Sequence, residues 1–374
     1  MLLTKGFEVE VFTATSAGEV VGFSDQIVAA IPGFVREPDN RNVEYTTPPF
    51  TRYEHLFWAL LEPRQRLRRF LRGKGDFTLL PGSTLALGGT DEFHRSDPQN
   101  PYHAYIEATY GTTVVTASIH INMGMSDSEL LFRACRLLRL EAPLYLALSA
   151  SSPFLNGQFT GSHSSRWQMF PKTPSHVPLF TSHQHYIEWT QAQLKFGTMQ
   201  NVRHLWSSVR PNGDNRPYDL NRLELRICDL VLDPIALLAI TALLECRLVE
   251  LMRSPNLDPL SSSPFTPDEL LTIADQNEAA AARHSLDAPL IHWQTGETLV
   301  ARDWVAEQYH QSMAIAKELG NFCFLAPLQQ RLHTGNEAQQ WLAAHGTGQN
   351  IHQILSRAIE HAEQQDHELS ALFS

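Results

Sequence analysis

Four short segments set acids, a histidine and arginines at every second position, each alternating with an apolar residue. In Gly6–Phe12, "GFEVEVF", the side chains of an extended chain point to opposite faces in turn, so Phe7, Val9 and Val11 go to a core while Glu8 and Glu10 share the other side. The same parity in "RNVEYTT" buries Val43 and Tyr45 and leaves Glu44 opposite; in "SIHINMG" it buries Ile119, Ile121 and Met123 and leaves His120 with Asn122. In "RLELRICD" it buries Leu223, Leu225 and Ile227 and groups Arg222, Glu224 and Arg226. A solvated sheet face mixes Lys, Thr, Ser and Gln, whereas these strands offer no lysine on their polar positions. If they share a sheet, their carboxylates converge, and like charges at about 4 Å repel by roughly 4 kcal/mol at an effective dielectric near 20. Such a cluster calls for cations. Oxygen donors with one imidazole suit Mg²⁺ or Mn²⁺, and an arginine two residues from a metal-binding acid suits phosphate. The chain has no GxxxxGK[ST] loop and no kinase signature set, so ATP would rest on metals and arginines across a sheet.

The elements that must position these residues read as α+β. Strand patterns alternate with helical ones up to about residue 254, without the strand, glycine loop, helix rhythm of a dinucleotide fold. Helices are predicted over Tyr53–Arg72, over Ser128–Leu140, and over Pro234–Met252, the last apolar nearly all round. The basic run Arg64, Arg66, Arg68, Arg69, Arg72 and Lys74 reads as a solvated helix face. The loop composition of "SPNLDPLSSSPFTP" separates residues 1–254, a catalytic core, from residues 255–374, a helical region packed on it. "TPDE" at Thr266–Glu269 opens that region as a capping box, and apolar residues at helical spacing before Gly320 and from Ile351 to Ala362 continue it.

Composition narrows the function. The 374 residues carry 29 basic and 40 acidic side chains, a formal charge of −11, which gives no general attraction for nucleic acid or anionic lipid. The longest uncharged apolar stretch, Pro234–Leu244, falls well short of the roughly twenty residues that a membrane helix needs. Cys135, Cys228, Cys246 and Cys323 form no C-x-x-C pair and suit reduced thiols, and with no secretory pattern at the start of the sequence a cytoplasmic location is expected.

Together "GFEVEVF", "REPDNRNVEYTT", "LPGSTLALG", "HRSDPQNPYHAYIE", "SIHINMG", "EAPLYLALSASSPFLNG", "HLWSSVRPNGD" and "LNRLELRICD" form an ordered set from about Gly6 to Glu250. This set resembles the glutamate-cysteine ligases of cyanobacterial type, within the carboxylate-amine ligases of the glutamine synthetase-like superfamily. The resemblance implies a curved, mainly antiparallel sheet whose concave face holds ATP, metal and amino acid. It implies Glu8, Glu10, Glu44, His120 and Glu224 as metal ligands, with Arg226 on the transferred phosphate and Glu224 and Arg226 as the catalytic pair. It also implies that Asn122 reaches nucleotide and substrate, and that Arg166 and Arg210 hold the amino acid or phosphate. Some relatives in the wider group carry "GTHP" where this chain has Gly82, Ser83, Thr84 and Leu85, which favours the glutamate-cysteine type.

The implied reaction joins the γ-carboxylate of L-glutamate to L-cysteine through γ-glutamyl phosphate, with ATP consumed to ADP and phosphate and Mg²⁺ or Mn²⁺ as cofactor. This is the first step of glutathione synthesis. The alternatives are a ligase with another amine acceptor, a metal-dependent phosphate-ester hydrolase, and a noncatalytic nucleotide-binding protein. Small molecules are the expected partners, and a homo-oligomer is compatible with the sequence.

Overall fold

A computed structural model describes residues 2–371. Its centre is the strand β1 (Lys5–Thr15), joined by β2 (Phe34–Arg36), β3 (Asn42–Thr46), β4 (Phe77–Leu80) and β5 (Ile119–Gly124). A small hairpin follows, β6 (Phe154–Leu155) and β7 (Gln158–Phe159), and then β8 (Val209–Asn212) and β9 (Arg222–Leu225) return to the main sheet. That seven-stranded sheet runs β2-β3-β1-β5-β9-β8, with β4 against the second half of β1, and every pairing is antiparallel. The architecture is the α+β arrangement that the alternation predicts, an open antiparallel sheet flanked by helices.

Strand parity sorts the sheet into two faces. Phe7, Val9, Val11, Val43, Tyr45, Ile119, Ile121, Met123, Leu223, Leu225 and Ile227 are all buried on one side. Helices cover that apolar side: Ser128–Ser149 packs on β8 and β9, and Tyr53–Arg72 packs on β4. The first of these outruns its predicted end at Leu140. Residues Leu140 to Ser149 are all fully buried, so tertiary packing carries the helix past Pro143, which removes only one donor from the ladder.

One hydrophobic cluster reaches from Phe7 to Ala362 and so joins the sheet to the C-terminal helices. The helix Pro267–His284 starts on the Thr266–Glu269 capping box, and Ala301–Leu319 ends at Gly320 in the left-handed region, where the absence of a Cβ relieves the strain. The basic run on Tyr53–Arg72 is solvent-exposed at Arg69, Arg72 and Lys74, as read from the sequence, and departs from that reading at two positions. Arg64 and Arg68 are buried, and both donate to Asp366 of the last helix, Ile351–Ala371, while Arg64 also donates to the Leu232 carbonyl. The partner acid lies 302 positions from Arg64, so local composition could not reveal it. Among the described residues, no helix is long and apolar enough to cross a membrane.

Candidate active site

The register of the sheet determines which polar side chains meet. Glu10 stands opposite Glu44 across β1 and β3, Glu8 opposite His120 across β1 and β5, Asn122 opposite Glu224 across β5 and β9, and Arg210 opposite Glu224 across β8 and β9. Directly opposite residues lie close enough for their side chains to interact, so this one polar face gathers acids at one end and guanidinium groups at the other. A cavity of about 730 Å³ opens over it, with Glu8, Glu10, Glu44, His120, Arg210 and Arg226 in its wall.

At the acid end, one carboxylate oxygen from each of Glu10, Glu37 and Glu44 lies within 4.8 Å of the others. Burial, followed by the charges of Glu8 and Glu10, pushes the Glu44 carboxyl up to about 8. Burial together with Glu10 and Glu44 raises Glu37 well above the ordinary range. Three carboxyls driven together in this way, with oxygen donors only, fit a hard divalent cation. Glu37 was not selected from the sequence. It lies just beyond β2, and the signal was its return toward Glu44 across the short loop "PDNRN".

Beside this set, Glu8, His120 and Glu224 also bring ligand atoms within 4.8 Å of one another. His120 Nδ1 faces Glu8 Oε2 at 2.9 Å, and Nε2 faces Ser118 Oγ at 3.1 Å. The Ser118 hydroxyl donates to Glu10 Oε2 at 2.6 Å, so it accepts from Nε2 and fixes the ring, leaving Nδ1 toward the acids. Asn122 Nδ2 donates to Glu8 Oε1 at 3.2 Å, and Asn122 Oδ1 accepts from Arg222 Nε at 3.3 Å. Burial and Glu224 oppose ionisation of Glu8, but the His120 hydrogen bond and the charges of His120 and Arg226 outweigh them and lower it.

Glu224 is fully buried and fully engaged. Arg210 Nε and Nη2 donate to its two oxygens at 2.7 and 3.0 Å, Asn212 Nδ2 donates at 2.6 Å, and Arg226 Nη1 adds a further bond. Burial disfavours the charge, yet Arg210 and Arg226 hold the carboxyl well below its usual range. These four donors take the four lone-pair positions of a carboxylate. Glu224 therefore reaches a metal only when a guanidinium such as that of Arg226 turns away.

Around the basic end stand Arg203 and Arg216, which strand parity did not single out, and Arg222, which it did; Arg36 lines the cavity from the opposite, β2 edge of the sheet. Burial and the neighbouring Arg210 bring the Arg216 guanidinium down to about 10, the counterpart of the raised acids: this end asks for an anion. Tyr102, Ile106, Phe170 and Trp206 supply an apolar wall beside it. Asn100 and His103 also line the cavity.

One expectation meets a different geometry. Arg166 does not line the cavity: it is buried behind β9 and donates to the carbonyls of Ile227 and Arg226 at 3.1 and 3.2 Å, so it holds the strand that carries Arg226. Cys228 shares parity with Arg226 and is buried, as suits a reduced core thiol, because β9 ends at Leu225 and the chain turns into the core.

A second cavity, of about 530 Å³, adjoins the first and shares Glu8, Thr46, Asp214 and Arg222 with it. Its remaining wall is formed by Thr4, Lys5, Gly6, Phe7, Thr47, Pro49, Asn122, Gly124 and Asn221, of which only Lys5 is ionisable.

Comparison with known proteins shows the family and the fold. The chain is 26% identical over 328 residues to a Rubrobacter xylanophilus protein named "Putative glutamate--cysteine ligase 2-3", covering 84% of each chain. It is 28% identical over 247 residues to a Sorangium cellulosum protein of similar name, covering 65% of this chain and 62% of the relative. In fold it is similar to the glutamate-cysteine ligase of Francisella tularensis solved in complex with AMP, with a TM-score of 0.76 at 13% identity over 98% of this chain and 89% of that one. It is also similar to a bifunctional glutathione synthetase from Pasteurella multocida, with a TM-score of 0.72 at 16% identity over 98% of this chain and 52% of that one. The sequence pattern of glutamate-cysteine ligase family 2 matches residues 4–368. With that match across nearly its whole length, the chain belongs to glutamate-cysteine ligase family 2.

Proposed function

We propose that this protein joins the γ-carboxylate of L-glutamate to the amine of L-cysteine, with ATP as co-substrate and Mg²⁺ or Mn²⁺ as cofactor. The observation that carries this reading is the meeting of Glu10, Glu37 and Glu44 on one polar sheet face whose opposite end is crowded with arginines. Family membership supports ATP-dependent ligation as the class of chemistry. The choice of glutamate and cysteine is our extension of it. Residues 1–254 supply the whole polar face in this reading, and residues 255–374 buttress it.

Glu10, Glu37 and Glu44 would hold one divalent cation, and Glu8 with His120 a second, which Glu224 joins when released. Bound there, such ions neutralise triphosphate charge and draw electron density from the transferring phosphoryl group. The chain's own side chains do the rest. Arg226 turns from Glu224 toward the γ-phosphate, and Arg210 keeps Glu224 ionised as it leaves. Phosphorylation makes the γ-carboxyl oxygen of glutamate a leaving group, and the amine then displaces phosphate. The arginine-rich end suits amino acids that bear free carboxylates, and the apolar wall of Tyr102, Ile106 and Trp206 suits the side chain of the amine acceptor. The second cavity, whose wall at Gly6, Thr47 and Gly124 is uncharged, suits an uncharged nucleoside. Phe170 and Tyr102 shield the acyl phosphate from water.

The test is release of ADP with ATP, Mg²⁺ and glutamate fixed and the acceptor varied among cysteine, 2-aminobutyrate and other amines. ADP should form only when glutamate and an amine are both present. Equal ADP formation without them would identify a phosphate-ester hydrolase, and a better acceptor than cysteine would keep the ligase and change its product.

A further inference from the structure

The segment Ser164–Thr173 lies between the catalytic strand β9 and the C-terminal helices, and it is gripped from both sides. On the β9 side, Ser164 Oγ donates to the buried Asp229 at 2.8 Å, and Arg166 donates to the carbonyls of Arg226 and Ile227. On the other side stands Glu278 of the helix Pro267–His284, a buried acid. Its carboxylate accepts from the Trp167 indole at 3.1 Å, pairs with the Lys172 ammonium at 2.9 Å, and also accepts from Arg139. Asp275, one turn earlier on the same helix, takes Arg139 at 2.7 Å and Lys172 at 3.2 Å.

The far end of this segment builds the cavity wall. The Trp206 amide donates to the Thr173 carbonyl at 2.7 Å, and the Phe170 and Trp206 rings meet at 5.3 Å between centroids. Both rings line the cavity. Arg139 reaches the same region from behind through Ser208 Oγ at 3.0 Å, and the Ser208 carbonyl accepts from the Arg226 amide at 2.7 Å. After Phe170, Thr173 and Pro174 are buried, while Lys172, Ser175 and His176 are exposed. An open groove of about 430 Å³ runs along Lys172–His176 on one side, and a smaller pocket lies against the same residues on the other. Beside these openings Lys172 is held by its ion pairs to Glu278 and Asp275.

We propose that Glu278 is a positioning residue for the apolar wall of the cavity, acting through Lys172 and Trp167 to set Phe170 and Trp206. This assigns the C-terminal helical region a part in substrate selection, although none of its described residues lines the cavity. The choice of the acceptor as the substrate affected rests on the reading given under Proposed function.

The experiment uses the full chain with Lys172→Met, Lys172→Arg and Glu278→Gln. Lys172 is the primary target because its side chain is 36% exposed, so its loss leaves the fold intact even if the buried Glu278 variant does not fold. Steady-state ADP formation is measured with each substrate varied in turn, and amide hydrogen exchange is followed in the peptide spanning residues 166–178. In Lys172→Met, exchange in that peptide should quicken at least about fivefold, with Ser128–Ser149 unchanged. The KM for the acceptor should rise about tenfold while kcat and the KM for ATP stay within about twofold, and Lys172→Arg should restore most of the effect. A rise in the KM for ATP instead would support the positioning role and overturn the assignment of the wall to the acceptor. Unchanged exchange and unchanged KM values, or an equal loss in every parameter, would overturn the positioning role.

Discussion

Glu44 is a carboxyl that burial and its like-charged neighbours lift from 4.5 to about 8. An acid whose folded-state value is raised supports the fold while it is protonated. That support is complete below about 4.5 and is lost as the pH climbs through about 8. Metal-free protein should therefore melt at progressively lower temperature between about pH 5 and pH 8.5, and saturating Mg²⁺ should recover much more at the alkaline end than at the acid end. Glu44→Gln should flatten both trends in a thermal melt with and without chelator; an unchanged pH slope in that variant would count against the clustered acids. Arg226 carries a second expectation at this scale. Lysine has no planar fork with which to leave Glu224 and meet phosphate, so Arg226→Lys should lower kcat by about 10²–10³ with little change in melting temperature. A loss of less than about threefold would remove Arg226 from the reaction.

At the scale of elements, β1 is the organiser, since its first half pairs with β3 and β5 and thereby brings Glu44 and His120 to its own acids. That much was legible in the sequence, because a period of two shows directly in "GFEVEVF" and "SIHINMG" and a buried apolar face fixes the register. Glu37, Arg36 and Tyr102 were not legible in this way. Arg36 ends a three-residue strand, Glu37 follows it, and Tyr102 lies in the first turn of the helix Pro101–Tyr110, so their approach is set by tertiary pairing and not by any local repeat. Arg166 misled for the opposite reason, since a loop arginine beside serines looks the same in sequence whether it binds a ligand or a strand carbonyl. The β8–β9 hairpin offers a test of positioning by an element. A Cβ on Gly213, at its turn, would come 2.0 Å from the Asp219 carbonyl oxygen and 2.6 Å from the Leu220 Cα, backbone atoms that cannot step aside. Gly213→Ala should cost about 1–3 kcal/mol of stability in urea and reduce turnover by shifting Asn212 and Arg210 against Glu224. Wild-type stability and activity in that variant would show the turn to be compliant.

The whole molecule closes on itself through contacts that no local pattern reveals. The period of the C-terminal helices showed where they run, but not that Asp366 reaches back to Arg64 and Arg68, because burial of these two arginines depends on the meeting of two distant helices. Removing one member of a buried ionic group strands the others, so Asp366→Ala should lower stability by about 3–5 kcal/mol while molecules that remain folded keep their turnover. A loss under about 1 kcal/mol would mean that water reaches the two guanidinium groups. The claim on which everything else depends is that this sheet face transfers a phosphoryl group from ATP to a carboxylate. It is tested most directly by supplying glutamate labelled with ¹⁸O in its γ-carboxyl group, together with ATP, Mg²⁺ and cysteine, and by weighing the phosphate released. The account requires a labelled oxygen to move from glutamate into phosphate with each turnover; phosphate that takes its new oxygen only from water would contradict it.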